Sequence, residues 1–336
     1  DSFKNEILEA DLVLDNNKQM KYSNAAYALL GVVIECVSGK TFKDYVNEKI
    51  IQPLGLKDTG PDFTEKVLSE IVTGYSRREL NKQRVPITEH LETRAMASAG
   101  GVYSTAADMC TYFGAHFVGS GKLLNDESKK EMQRTQWPIH NAVEKEEYAL
   151  GFEINHIADR RFFGHGGGFP GQLTKTLCDP NEQLISVVLT NCIDAEPTPM
   201  SKGVINIIEH FKQSADKADS GTIEELKKFH GTFMALWGAI MIVEDGNQLI
   251  AVNPDSWNPF AADMAPQTLE RIDDQTLKVV KANGFYSEGE QIKYEFDKSG
   301  VAKSIRYAGN DMWPEEEFKR NLTKLQSEKS LAASPS

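Results

Sequence analysis

The spacing of apolar residues changes twice along the chain, and each change limits what can fold there. From Asn24 to Ser38, the residues Ala26, Leu29, Leu30, Val33, Ile34 and Val37 recur at intervals of three and four, and Gly39 stands where a helix C-cap belongs. Thr41 can cap a second helix carrying Phe42, Tyr45, Val46 and Ile50, which Pro53 is expected to stop. A third is expected after Thr105, with Asp108 placed as in a capping box and Met109, Cys110, Phe113 and Phe117 on its buried side. Beyond residue 145 the pattern turns to short strands over 148–154, 161–164, 172–178 and 183–190. A helix opening at Thr198 follows, its stripe of Val204, Ile207, Ile208 and Phe211 suited to pack on that sheet.

The second change follows a polar linker, residues 212–221. Short alternating segments are then punctuated by turn signals at Glu244-Asp245-Gly246-Asn247, Asp273-Asp274 and Asp297-Lys298-Ser299-Gly300. Seven or so strands at this spacing predict a small antiparallel barrel over 222–320, filled by side chains such as Phe233, Leu236, Ile242 and Leu249. Residues 321–336 read as a polar, mobile tail.

Charge excludes some partners. A net charge of −12 without clustered Lys and Arg argues against nucleic acid and anionic membrane surfaces. No apolar run approaches the roughly 20 residues of a membrane span. The start, Asp1-Ser2-Phe3-Lys4, lacks both an initiating methionine and a signal-peptide core, so a processed or shortened chain is expected. Cys36, Cys110, Cys178 and Cys192 lack metal-type spacing and read as buried thiols.

Chemistry concentrates at residues 162–172, FFGHGGGFPGQ. A His-Gly-Gly-Gly loop can supply oxyanion donors in lipase-like α/β-hydrolases, but that fold needs a G-x-S-x-G elbow, and none occurs. A glycine-rich loop with a structural histidine is the plain alternative. His90, His116 and His156 have no partner pattern and read as ordinary histidines, Tyr103 as core, and Ser98-Ala99-Gly100-Gly101 as a structural turn.

Ordered motifs decide between these readings. KYSNAAYALLGVVIECVSGKTFKDYV from Lys21, PLGLKDTG from Pro53, ASAGGVYSTAADM from Ala97, FGHGGGFPGQ from Phe163 and VVLTN from Val187 occur in that order. Together they resemble the serine β-lactamase and penicillin-binding-protein family, in its class C, D-alanyl carboxypeptidase and esterase branch. The resemblance implies an α+β fold: a β-lactamase/transpeptidase-like antiparallel sheet with helices over 1–211, incomplete at its N-terminus, then a lipocalin-like barrel. It implies catalytic roles for Tyr22, Asn24 and His165, with Tyr22 as base or proton relay, its pKa lowered by nearby positive charge. Gly166, Gly167 and Gly168 would form the substrate strand, the Gly168 N–H being an oxyanion donor. The substrate would be a peptide, amide, lactam or ester, with no cofactor or metal, in a periplasmic or secreted setting.

The family's nucleophile, the serine of S-x-x-K, normally precedes Tyr-x-Asn by many tens of residues. Here the one S-x-x-K match is Ser214-Ala215-Asp216-Lys217, placed after every other motif. Asn16-Asn17 also replaces the usual Pro-Gly before the tyrosine. The expectation is therefore a chain inactive alone, completed by an N-terminal segment or a second polypeptide. The alternative is a non-catalytic peptide-binding or regulatory homologue.

Overall fold

The computed structural model describes residues 2–332 apart from 12, 16, 64, 79–82, 90, 140–145, 216–223, 262–264 and 283–287. Asn16, His90 and Lys217 lie outside the described residues, as does residue 216 onward of the expected linker. The chain divides into two compact units, Asp1–Lys202 and Gly203–Ser336.

The first unit carries helices α1 (Ser2–Glu9), α2 (Asn24–Ser38), α3 (Phe42–Val46), α4 (Gln52–Leu54), α5 (Glu65–Leu68), α6 (Ala97–Gly100), α7 (Ala106–Gly114), α8 (Asp126–Gln133) and the start of α9 (Pro197–Ala215). A two-residue pair, β1 (Gly74–Tyr75) and β2 (Pro86–Ile87), bridges from Tyr75 to Cys192, just beyond the last strand of a six-stranded antiparallel sheet. That sheet runs in chain order through β3 (Trp137–Pro138), β4 (Glu146–Tyr148), β5 (Glu153–Ile157), β6 (Arg160–Phe169), β7 (Gln172–Asp179) and β8 (Leu184–Thr190). Phe113 and Phe117 pack with Phe152, Ile154, Phe163 and Cys178 to form a core beside it.

The caps form as the sequence demands. The Ser23 hydroxyl accepts the Ala26 N–H at 3.1 Å, and Gly39 ends α2 at φ 69°. Thr41 caps α3 and Thr105 caps α7. The faces differ from expectation. In α2 the buried residues are Ala28 and Gly31, while Leu29, Leu30, Val33 and Val37 are exposed. Small residues let α6 approach: a Cβ on Gly31 would meet the Ser98 hydroxyl at 2.3 Å. Ser98 thus lies in a helix rather than a turn, and it donates to the Tyr27 carbonyl at 3.0 Å. Pro53 does not stop its helix; a π-helical turn over Asn47–Ile51 delivers it into the first turn of α4, where no N–H is needed, and Gly55 ends the run.

Gly151, at φ 78°, divides the strand expected over 148–154 into β4 and β5, whereas β6 continues past Gly164 to Phe169. Within α9, Ser201 is buried against Ser186, their hydroxyls 2.9 Å apart, and Ile205 is buried while Val204 and Phe211 are exposed. The apolar stripe is again not the close-packed side. The helix also continues through residues 212–215, where a linker is expected, since Lys, Gln and Ala are good helix formers.

In the second unit, β9 (Gly231–Ala235), β10 (Gly238–Asp245), β11 (Gln248–Val252), β12 (Gln267–Arg271), β13 (Thr276–Lys281), β14 (Gln291–Phe296), β15 (Ala302–Tyr307) and β16 (Asn310–Pro314) close into an eight-stranded antiparallel barrel. Phe233, Ile242 and Leu249 lie in its core with Phe229, Leu277, Ile292 and Ile305. Leu236 does not: with Trp237 it forms the two-residue β9–β10 turn and is 77% exposed, because a hairpin tip lies beyond the interior. In place of the expected tail, α10 (Glu315–Ala332) follows the barrel, begun by three glutamates that favour a helix N-terminus. Of the cysteines, Cys178 is buried, Cys110 and Cys192 are half-buried, and Cys36 is exposed because it falls on the open side of α2; all are free thiols.

Candidate active site

The site begins with a strand that outruns its neighbour. Strands β5 and β6 pair from Ile157↔Arg160 to Glu153↔Gly164 and no further, because Gly151 turns the chain before Glu153. On the other side, β6 pairs with β7 through Phe169↔Gln172. Residues His165 to Phe169 therefore have β7 on one flank and no β5 partner on the other, and Gly167 and Gly168 are exposed. Strand N–H groups alternate in direction. The Gly166 N–H points to the vacated side, toward the Glu153 carboxylate, and helps to hold that carboxyl below its usual value. The Gly168 N–H, two residues on, faces the same way.

Glycine is required on the paired flank. A Cβ on Gly164 would stand 2.0 Å from the Thr176 carbonyl oxygen, and one on Gly167 would stand 2.6 Å from the Thr174 hydroxyl. Phe169, at the far end, packs on Phe63 at 5.7 Å between ring centres, and Phe63 stacks on Tyr103 at 5.8 Å. Tyr103 is half-buried, and a Cβ on Gly60 would strike its hydroxyl.

Beside the open edge lies an aromatic group. The Tyr22 ring centre is 6.2 Å from that of His165 and 6.3 Å from that of Tyr148, edge-on to the latter. His165 Nε2 lies 2.9 Å from the Tyr148 hydroxyl. Tyr22 and His165, far apart in sequence, thus meet. Asn24 stands two residues beyond Tyr22 as the exposed first residue of α2. Burial, then the Glu153 carboxylate and the Tyr27 hydroxyl, raise the Tyr22 hydroxyl above its ordinary value. This corrects the expected lowering: its strongest charged neighbour is an anion, and an anion disfavours phenolate.

Sequence reasoning missed three side chains. Tyr148 is buried, and burial first, then its tyrosine neighbours, pushes its hydroxyl far above the usual tyrosine range. Lys175, buried in the middle of β7, places Nζ 2.5 Å from Glu153 Oε2. Burial, the largest single influence, would raise the Glu153 carboxyl; the Lys175 ammonium, His165 and the Gly166 N–H together outweigh it and hold the group below its usual value. A lysine inside an otherwise apolar strand is the signal that could have found this pair, since a buried ammonium needs a partner. His156 and His116 do have partners: His156 Nε2 lies 3.1 Å from Glu147, and the buried His116 places Nδ1 3.0 Å from the Tyr112 carbonyl. Among the described residues, no group of three or more His, Cys, Asp or Glu could hold a metal ion, and no single helix is long and apolar enough to cross a membrane.

Known proteins share this fold. Residues 4–200 match the family described as Beta-lactamase. Penicillin-binding protein 4* of Bacillus subtilis (strain 168) is 22% identical over 246 residues, which cover 68% of this chain and 52% of that protein. The chain thus spans about half the length of that curated relative. The octameric penicillin-binding protein homologue from Pyrococcus abyssi superposes with a TM-score of 0.52 at 17% identity, covering 89% of this chain and 66% of that one. The penicillin binding protein from Bacillus halodurans gives a TM-score of 0.50 at 25% identity, covering 62% of each chain. None of these comparisons supports a second polypeptide completing the sheet. With the match spanning more than half of the chain and the fold agreeing, the protein belongs to the beta-lactamase family, whose members include the serine hydrolases of the penicillin-binding-protein type.

Proposed function

We propose that residues 1–211 form the substrate-binding side of an acyl-enzyme serine hydrolase acting on an amide or lactam, with peptide and ester bonds as further substrates. The observation that carries this reading is the open, glycine-lined edge of β6 beside Tyr22 and His165. A substrate main chain can pair with residues 166–168 as an added strand, along a flank that no strand among the described residues occupies. The Gly168 N–H then acts as an oxyanion donor, aimed where charge develops on the attacked carbonyl; losing such a donor costs about 3 kcal/mol of transition-state stabilisation. Tyr22 serves as base or proton relay once a cation offsets its raised pKa, Asn24 orients the substrate, and His165 orders the group. The barrel closes with its strands in up-and-down order, and apolar side chains pack its interior.

The proposal assigns no nucleophile within residues 1–211, since the one S-x-x-K match begins at Ser214. Fluorescent penicillin and nitrophenyl esters, followed by mass spectrometry of the adduct, test the proposal. The 336-residue chain should carry no acyl group. The same chain extended N-terminally by a segment bearing S-x-x-K should be acylated on that serine. Acylation of a serine within residues 1–336 would contradict the reading. A non-catalytic peptide-binding homologue is the second reading, favoured by the misplaced S-x-x-K match, and persistent inertness of the extended chain would establish it.

A further inference from the structure

We propose that Glu153 and Lys175 are a positioning pair that fixes the tautomer of His165 and the direction of the Gly166 peptide. The atoms around the imidazole assign its proton. His165 Nδ1 lies against the Gly166 carbonyl oxygen, which can only accept, and 3.8 Å from Glu153 Oε1, a charge contact rather than a hydrogen bond. Nδ1 therefore carries the hydrogen. Nε2 of the neutral ring is then the acceptor, and the Tyr148 hydroxyl donates to it at 2.9 Å. Tyr148 suits that role because its enclosed hydroxyl holds its proton firmly.

Glu153 touches both ends of this arrangement. One carboxylate lies beside the Gly166 peptide and faces the His165 Nδ1–H, so it favours the tautomer with hydrogen on that nitrogen. Its position comes from register: Glu153 ends β5 opposite Gly164, and Lys175 stands on β7 opposite Gly166. The two side chains meet beneath Gly166, where a Cβ would lie 3.7 Å from Glu153 Oε1 and 3.9 Å from Lys175 Cδ. Lys175 neutralises a carboxylate that would otherwise be half-enclosed next to two tyrosine hydroxyls. The charged or titratable groups facing His165 are thus Glu153 from β5, Tyr148 from β4 and Tyr22 ahead of α2, with Lys175 behind Glu153.

The consequence for chemistry rests on the proposed acyl-transfer reading: the ring facing Tyr22 is held in one orientation, and the peptide preceding the Gly168 donor is anchored. The test needs no turnover, so its outcome is separate from that of the acylation experiment. Nitrogen-15 NMR of the His165 ring in the full chain should show one tautomer, protonated at Nδ1. Glu153→Ala should convert it to a mixture with a several-fold larger Nε2–H population and shift the Gly166 amide. Because that variant leaves a buried ammonium unpaired, Glu153→Leu combined with Lys175→Met removes both charges at similar volume, and it should show the same mixture. Ile154→Val, a core change next to Glu153, should leave the ring signals unchanged. Wild-type ring shifts in the folded double variant, or an Nε2–H ring in the unaltered chain, would overturn the proposal.

Discussion

Enclosure of the Tyr148 hydroxyl ties stability to alkaline pH. Its native pKa is raised, chiefly by burial, above the value of about 10 it takes in an unfolded chain. Below that value both states keep the proton and the stability is fully present; as pH rises toward the native value, only the unfolded chain ionises and stability is lost. Tyr148→Phe should therefore flatten the fall in melting temperature between about pH 9 and about pH 11, measured by circular dichroism; an unchanged slope would contradict the enclosure. At this scale, the meeting of Tyr22 and His165 was legible because each sits in a motif whose order along the chain is specific. Tyr148, Glu153 and Lys175 were not, since their meeting depends on the pairings Glu153↔Gly164 and Gly166↔Lys175. Spacing along one chain does not reveal which residues a sheet sets side by side. The Tyr22 pKa was misjudged for the same reason: the anion beside it arrives from another strand.

Helices and strands were more legible in existence than in orientation. Ser23, Gly39, Thr41 and Thr105 fix helix ends through bonds within a few residues, so local sequence suffices to place α2, α3 and α7. The packed faces were misread because Ala28, Gly31 and Ser201 allow close approach, whereas the larger apolar residues that dominate a periodicity argument point outward in places. Gly203 makes this testable. A Cβ there would stand 2.1 Å from the Trp257 carbonyl oxygen, a backbone atom that cannot swing aside as a side chain could. Gly203→Ala should destabilise the second unit by about 1–3 kcal/mol, as overpacking does. A urea titration followed by tryptophan fluorescence measures it, and a stability equal to that of the parent would show the contact to be looser than described. The strand expected over 148–154 is split at Gly151 for a related reason: a residue at φ 78° ends a strand without altering the apolar alternation around it.

For the whole molecule, turn chemistry made the barrel readable before its structure: all three expected turns fall between consecutive barrel strands, at β10–β11, β12–β13 and β14–β15. The strand number was read less sharply, as seven or so where eight close the barrel, because the count depends on β16 pairing with β9 across the length of the unit. The break between units was not readable, since it falls inside α9, where helix propensity runs on without a compositional change. What joins the two scales at the site is the vacated flank of β6, produced by a turn at Gly151 and lined by glycine. The central claim is that a substrate main chain binds there. Amide NMR of the full chain during titration with an acylated dipeptide amide tests it most directly. The account predicts that Gly166 and Gly168 shift together with the Tyr22 ring, that the Gly168 N–H becomes protected from exchange, and that Gly168→Pro abolishes the response. Shifts confined to other surfaces, or an unchanged Gly168 N–H when the rest of the site responds, would contradict it.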